Sequence, residues 1–204
     1  MIEACDITAL ILAGGLGRRM SADGKGSEKG LIVFKNQPMV HWVAQRLAPQ
    51  VGGGLILNCN SNTSAYRELM PEGTLFVSDQ VSGFAGPLAG VEAALSICPT
   101  PWLVTAPCDS PFLPIDLVSR FAEQAALALC DVVVARDAKH PQPVFMMLKT
   151  SLLANLRQYL NGGDRKIDRW YERLNHCYVE FLAPSVFANV NTPDELNALA
   201  QLRL

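Results

Sequence analysis

Ile7-Thr8-Ala9-Leu10-Ile11-Leu12 runs directly into Ala13-Gly14-Gly15-Leu16-Gly17-Arg18-Arg19-Met20. The first six residues are apolar except for one Thr, the pattern of a parallel strand buried on both faces. The glycines that follow let the backbone pass close to a ligand and turn its N–H groups toward it. Arg18, Arg19, Lys25 and Lys29 add positive charge to the same loop. Such a loop suits a polyphosphate, although a solvated turn would share its composition.

The alternation set up by this opening continues along the chain. Further apolar runs predict strands at 54–57, 74–77, 102–106, 131–134, 144–148, 178–181 and 186–189. Helical spacing predicts helices at Met39–Leu47 and at 64–69, 87–97, 116–129, 151–160 and 192–202. Pro38, Pro87 and Thr192-Pro193-Asp194-Glu195 supply helix-start chemistry. Strands alternating with helices imply an α/β fold: three layers, with a doubly wound, mostly parallel sheet between helices. Ligands of such sheets bind outside the carboxyl ends of the strands. Gly14-Gly15, Asn58, Asp79 and Asp109 each follow a predicted strand, so one crevice can collect them.

Composition narrows the function classes. With 204 residues the default is one domain, 1–204. Hydrophobic residues at 50% and charged residues at 18% exclude intrinsic disorder. Lys and Arg (17) against Asp and Glu (19) leave a net charge of −2, which argues against nucleic acid as a partner. No apolar run reaches the roughly 20 residues of a membrane span, and the acidic N-terminus does not resemble a signal peptide. A soluble, cytoplasmic protein is expected. Six cysteines without C-x-x-C spacing read as reduced, buried small hydrophobes. No heptad pattern appears, so a monomer is expected. His41, His140 and His176 lie beside no nucleophile motif, which disfavours covalent catalysis.

Individual motifs leave alternatives open. The dinucleotide fingerprint G-x-G-x-x-G fails at Met20, and the P-loop fails at Gly26. Asp109, between Pro107 and Pro111, is a rigidly held carboxylate suited to Mg²⁺ or, equally, a turn Asp. Asp79 could accept from the N1–H and N2–H edge of guanine, or cap a turn. Gly86-Pro87 places N–H groups at a helix start, where anions bind. Asn189-Val190-Asn191-Thr192-Pro193 reads equally as an Asx turn.

Taken together, several segments resemble a known family. Leu12-Ala13-Gly14-Gly15-Leu16-Gly17-Arg18-Arg19-Met20 with Glu28-Lys29-Gly30-Leu31 is similar to the signature of nucleotidyltransferases that couple an NTP to a phosphorylated acceptor. Gly86-Pro87-Leu88-Ala89-Gly90, Pro107-Cys108-Asp109-Ser110-Pro111 and Asn189-Val190-Asn191-Thr192-Pro193 narrow the resemblance to the molybdenum cofactor guanylyltransferases. It runs from about residue 8 to the last predicted helix.

The resemblance implies a Rossmann-like fold of the nucleotide-diphospho-sugar transferase type. It implies a nucleotide-binding half, about 1–110, and an acceptor-binding half, about 111–204. By position, Leu12, Ala13, Gly14, Gly15, Lys29, Asn58, Asp79 and Gly86 would bind nucleotide. Lys29, Arg19 and Asp109 would be catalytic, with Asp109 as the Mg²⁺ ligand. Arg165, Lys166, Asn189 and Asn191 would face the acceptor. Two departures stand out: Glu28 replaces the family's usual Asp before the lysine, and the loop 21–27 is longer than usual, so Lys25 competes with Lys29 for the phosphates. The implied reaction is transfer of GMP from GTP to molybdopterin, with transient contact to other cofactor-biosynthesis proteins or molybdoenzymes. A cytidylyltransferase, or a non-catalytic nucleotide-binding protein on the same fold, remains the alternative.

Overall fold

The computed structural model describes residues 1–14, 16–17, 27–80, 86–182, 186–188 and 195, with 16, 17 and 27 as backbone alone. In chain order its elements are β1 (Ile7–Leu12), β2 (Leu16–Gly17), β3 (Ser27–Glu28), β4 (Val33–Phe34), β5 (Gln37–Pro38), α1 (Met39–Leu47), β6 (Leu55–Asn58), α2 (Thr63–Leu69), β7 (Leu75–Val77), α3 (Pro87–Leu95), β8 (Trp102–Pro107), α4 (Leu117–Ala128), β9 (Val132–Arg136), β10 (Pro141–Lys149), α5 (Leu153–Asn161), α6 (Ile167–Tyr171) and β11 (His176–Glu180). Seven strands form one sheet in the order β11-β9-β10-β8-β1-β6-β7, while β2–β3 and β4–β5 are separate two-stranded pairs. Only β10 runs antiparallel within the large sheet. The α/β, mostly parallel reading therefore holds.

The apolar strands are apolar because both faces are covered. Ala9, Ile11, Leu55, Leu57, Val104, Ala106, Val133 and Met147 point into a core shared with α1, α2 and α4. Their neighbours Leu10, Ile56, Leu103, Val132, Val134 and Leu148 point the other way, against α3, α5 and α6. This alternation follows from the two-residue period of a strand. The inner strand β1 is matched along its full length by β8, from Ile7↔Trp102 to Leu12↔Pro107.

Two expectations need correction. The strand expected at 186–189 is absent at the described positions 186–188: Phe187 instead packs its ring on Phe145 and Phe181, and residue 189 lies outside the described residues. The reading of all six cysteines as reduced and buried fails for one pair and for Cys5, which is exposed. Cys130 and Cys177 are joined as a disulfide, because β11 pairs in parallel with β9 and brings Cys177 beside the residues that enter β9. Helix α6 and the pairs β2–β3 and β4–β5 were not anticipated. The last predicted helix, 192–202, lies outside the described residues except Glu195. Among the described residues no helix is long and apolar enough to cross a membrane.

Candidate active site

Strand order locates the crevice. From β1 the chain builds outward through β6 to β7, then returns by way of α3 to β8 on the opposite side of β1. The connections leaving β1 and β8 therefore diverge, and open α/β sheets bind ligands at such a reversal. Gly14 lies just beyond β1, and Asp109 just beyond β8. The Cys108 amide donates to Leu12 O at 3.1 Å, so the two strand ends are stitched together at that point.

Asp109 is 6% exposed and meets Lys29 there, with Lys29 Nζ to Asp109 Oδ2 at 2.7 Å. Lys29 begins the turn Lys29–Leu31 directly after β3. This turn rests on Tyr66 of α2: a Cβ on Gly30 would lie 2.8 Å from the Tyr66 hydroxyl, so the close approach requires glycine. Tyr66 is fully buried, with Glu28 and Cys108 beside its hydroxyl. Burial, with Cys108 and Glu28 nearby, pushes that hydroxyl far above its usual range. Burial beside the Asp109 carboxylate likewise holds the Cys108 thiol up and neutral. Both groups stay neutral, so the charges in this part of the crevice among the described residues include Lys29, Asp109 and Glu28.

A second cluster lies at the ends of β6 and β7. Asn58 Nδ2 donates to Asp79 Oδ1 at 2.9 Å, and Asn60 Nδ2 donates to Asp79 Oδ2 at 2.9 Å. The Asp79 amide returns a bond to Asn60 Oδ1 at 2.9 Å. The β6–β7 pairing continues one bond further, from the Cys59 amide to Val77 O, and sets these side chains opposite one another. Gly14 lies against both asparagines: a Cβ there would be 2.8 Å from Asn60 Nδ2 and 3.0 Å from Asn58 Oδ1. Ala13 donates its amide to Asn58 O at 2.8 Å. Leu12, Ala13, Gly14, Asn58 and Asp79 thus form one wall, and Lys29 with Asp109 forms another.

Gly86 caps α3 with φ +66°, a backbone region that favours glycine. The 163–166 turn adjoins it, with Arg165 O 4.0 Å from the position of a Cβ on Gly86. The Arg165 guanidinium donates to Leu160 O and Asp164 O at 2.6 and 2.8 Å, so it braces its own turn. Lys166 O accepts from the Tyr159 hydroxyl at 2.8 Å. Gly15, Arg19, Lys25, Asn189 and Asn191 lie outside the described residues.

Sequence reasoning missed Asn60, Ser61, Asn62 and Tyr66, and it noted Glu28 only as a departure from the family. Asn60 carried a usable signal, because it stands two residues beyond Asn58 and so projects to the same side. Asn62, with φ +50°, takes the left-handed conformation that asparagine tolerates. Its Nδ2 donates to Glu28 Oε1 at 3.0 Å, and Ser61 Oγ donates to the same oxygen.

The donor set fits a divalent cation only in part. Among the described residues no group of three or more His, Cys, Asp or Glu could hold one. Asp109 alone suits Mg²⁺, which keeps several waters and takes its remaining ligands from substrate phosphates.

The sequence and the fold have counterparts among known proteins. The sequence profile described as the MobA-like NTP transferase domain matches residues 9–177. A molybdenum cofactor guanylyltransferase of Cupriavidus taiwanensis is 46% identical over 203 residues, covering 97% of this chain and 98% of that protein. Its counterpart in Shewanella piezotolerans is 42% identical, covering 96% and 92%. The crystal structure of molybdopterin-guanine dinucleotide biosynthesis protein A from Archaeoglobus fulgidus superposes with a TM-score of 0.73 at 25% identity, covering 95% and 97%. The chain belongs to the MobA-like NTP transferases and, within them, to the molybdenum cofactor guanylyltransferase family.

Proposed function

We propose that this protein transfers GMP from GTP to the phosphate of molybdenum-loaded molybdopterin, releasing pyrophosphate and forming the guanine dinucleotide cofactor. The observation that carries the reading is the 2.7 Å pair of Lys29 and Asp109 at the β1/β8 reversal, next to the Gly14 and Asn58–Asp79 wall. Guanine is favoured over cytosine because full-length relatives at 40–47% identity carry the guanylyl name.

The roles follow from charge and position. The backbone of Leu12, Ala13 and Gly14 lies along the nucleoside, and the Asp79 carboxylate accepts from the guanine N1–H and N2–H edge. Asn58 and Asn60 take one bond on each Asp79 oxygen, and each carboxylate oxygen has further acceptor capacity. Lys29 exchanges Asp109 for the β- and γ-phosphates, and Arg19 adds charge from the same loop. Asp109 is the residue that would hold Mg²⁺. Mg²⁺ bound there would neutralise phosphate charge and hold the triphosphate in line. Gly86 turns the amides of the α3 N-terminus toward the substrate. Arg165, Lys166, Asn189 and Asn191 are assigned to the acceptor, whose phosphate oxygen attacks the α-phosphorus of GTP. The α–β bridging oxygen leaves with pyrophosphate. Both attacking and leaving groups are anions, so the residues contribute positioning and positive charge.

The test is pyrophosphate release with Mg²⁺ and molybdenum-loaded molybdopterin, using GTP and CTP in turn. Acceptor-dependent release from GTP alone is expected. Release from CTP instead would move the protein to the cytidylyl class. Release from neither would leave a nucleotide-binding protein without this activity.

A further inference from the structure

Glu28 and Lys29 are neighbours, yet their side chains serve different elements. Lys29 reaches the end of β8 at Asp109, whereas Glu28 reaches the loop after β6, at Ser61 and Asn62. That loop begins with Asn60, which holds both an oxygen and the amide of Asp79. Three consecutive residues therefore grip the carboxylate of Asp79 on one side and that of Glu28 on the other. Beneath Lys29, Gly30 is seated on the buried ring of Tyr66, so the turn has a floor as well as a tether.

We infer that Glu28 is a positioning residue for Lys29. Through Ser61 and Asn62 it ties the phosphate-binding lysine to the loop that fixes Asp79, so one strap, Asn60-Ser61-Asn62, sets the separation between base contact and phosphate contact. The inference rests on the assignment of Lys29 to the triphosphate made above. Both donors converge on Glu28 Oε1, the oxygen that a glutamine also provides. Charge is therefore dispensable at this position, whereas reach and an accepting oxygen are not.

The experiment compares calorimetric affinities for GTP and GMP, because only GTP offers β- and γ-phosphates to Lys29. Wild type should prefer GTP, and Lys29→Met should abolish the preference. Glu28→Ala should weaken GTP binding about tenfold, the size expected for lost hydrogen bonds to a charged group, while changing GMP affinity less than about twofold. The double variant Ser61→Ala/Asn62→Gly should behave likewise; glycine suits the positive φ at position 62. Glu28→Gln should restore the preference to near wild type. In turnover assays Glu28→Ala should raise KM for GTP more than it lowers kcat. The inference is overturned if Glu28→Ala weakens GTP and GMP equally, leaves both unchanged, or is not rescued by Glu28→Gln. If Lys29→Met also keeps the GTP preference, the assignment of Lys29 fails, and this inference fails with it.

Discussion

Gly90, in the first turns of α3, shows how little space surrounds Asn58. A Cβ at that position would overlap Asn58 Oδ1 and crowd Leu12. Gly90→Ala should therefore push Asn58 off Asp79 and weaken GTP and GMP alike, by about tenfold in calorimetry, since one hydrogen bond to a carboxylate is lost. Asp109→Asn should give a different signature. Mn²⁺, followed by water-proton relaxation, should bind wild type only together with GTP, because Lys29 occupies the carboxylate in the free protein. The Asn variant should show no such ternary binding, and nucleotide affinity without metal should persist. The thiols add a pH-dependent test. Burial raises the pKa of Cys59 and Cys108, so both stay neutral at pH 8, whereas Cys5 is exposed. Alkylation read by mass spectrometry should mark Cys5 in the native protein, and Cys59 and Cys108 only after unfolding. The stability held by these neutral thiols is complete below about pH 8.5, the ordinary thiol value, and is lost as pH rises above it.

Helices α3 and α5 are joined by a pair that the reaction does not use. Glu92 is 5% exposed; its Oε1 accepts from Arg157 Nε at 2.6 Å, and its Oε2 is buried without a partner among the described residues. Removing the arginine leaves a buried carboxylate with no partner. Arg157→Ala should cost about 2–3 kcal/mol in denaturant unfolding, less than a fully buried pair because the arginine side chain is 53% exposed. Glu92→Gln should cost less. Elements like β1 and β8 were legible because burial on both faces forces continuous apolar runs. The start of β10 was not. Pro141-Gln142-Pro143 reads as a loop, yet the strand begins at Pro141, and a register shift between Gln142 and Met146 accommodates the missing amide donors. Helix α6 has five residues, too few to display a helical period. At the candidate site, Lys29, Asn58, Asp79 and Asp109 could be located because three of them follow strands and one sits in a family signature. Which of them pair could not be read. The bonds between them span 21 to 80 positions, a separation that local pattern does not encode.

At the scale of the whole molecule, nucleotide should act as a brace, because Gly14, Lys29, Asn58, Asp79 and Asp109 come from separate parts of the chain. At a hundred times its dissociation constant a ligand stabilises the native state by about 2.7 kcal/mol. For a chain of this size that corresponds to a rise of roughly 5–10 °C in melting temperature, which GTP with Mg²⁺ should produce. The reversed strand β10 has a separate consequence. Strand β9 brings the chain to the mouth of the crevice, and β10 carries it back from there after the short turn between Arg136 and Pro141, held by Asp137, whose carboxylate accepts the amides of Lys139 and His140. The candidate nucleotide site draws on β1, β6, β7 and β8, and this hairpin tip can lengthen or shorten without disturbing the register of any parallel strand. On the proposed function, a change in this tip would alter the acceptor side while leaving the nucleotide contacts in place. Inserting two glycines after Ala138 should accordingly leave GTP affinity within about twofold and alter only the KM for the acceptor.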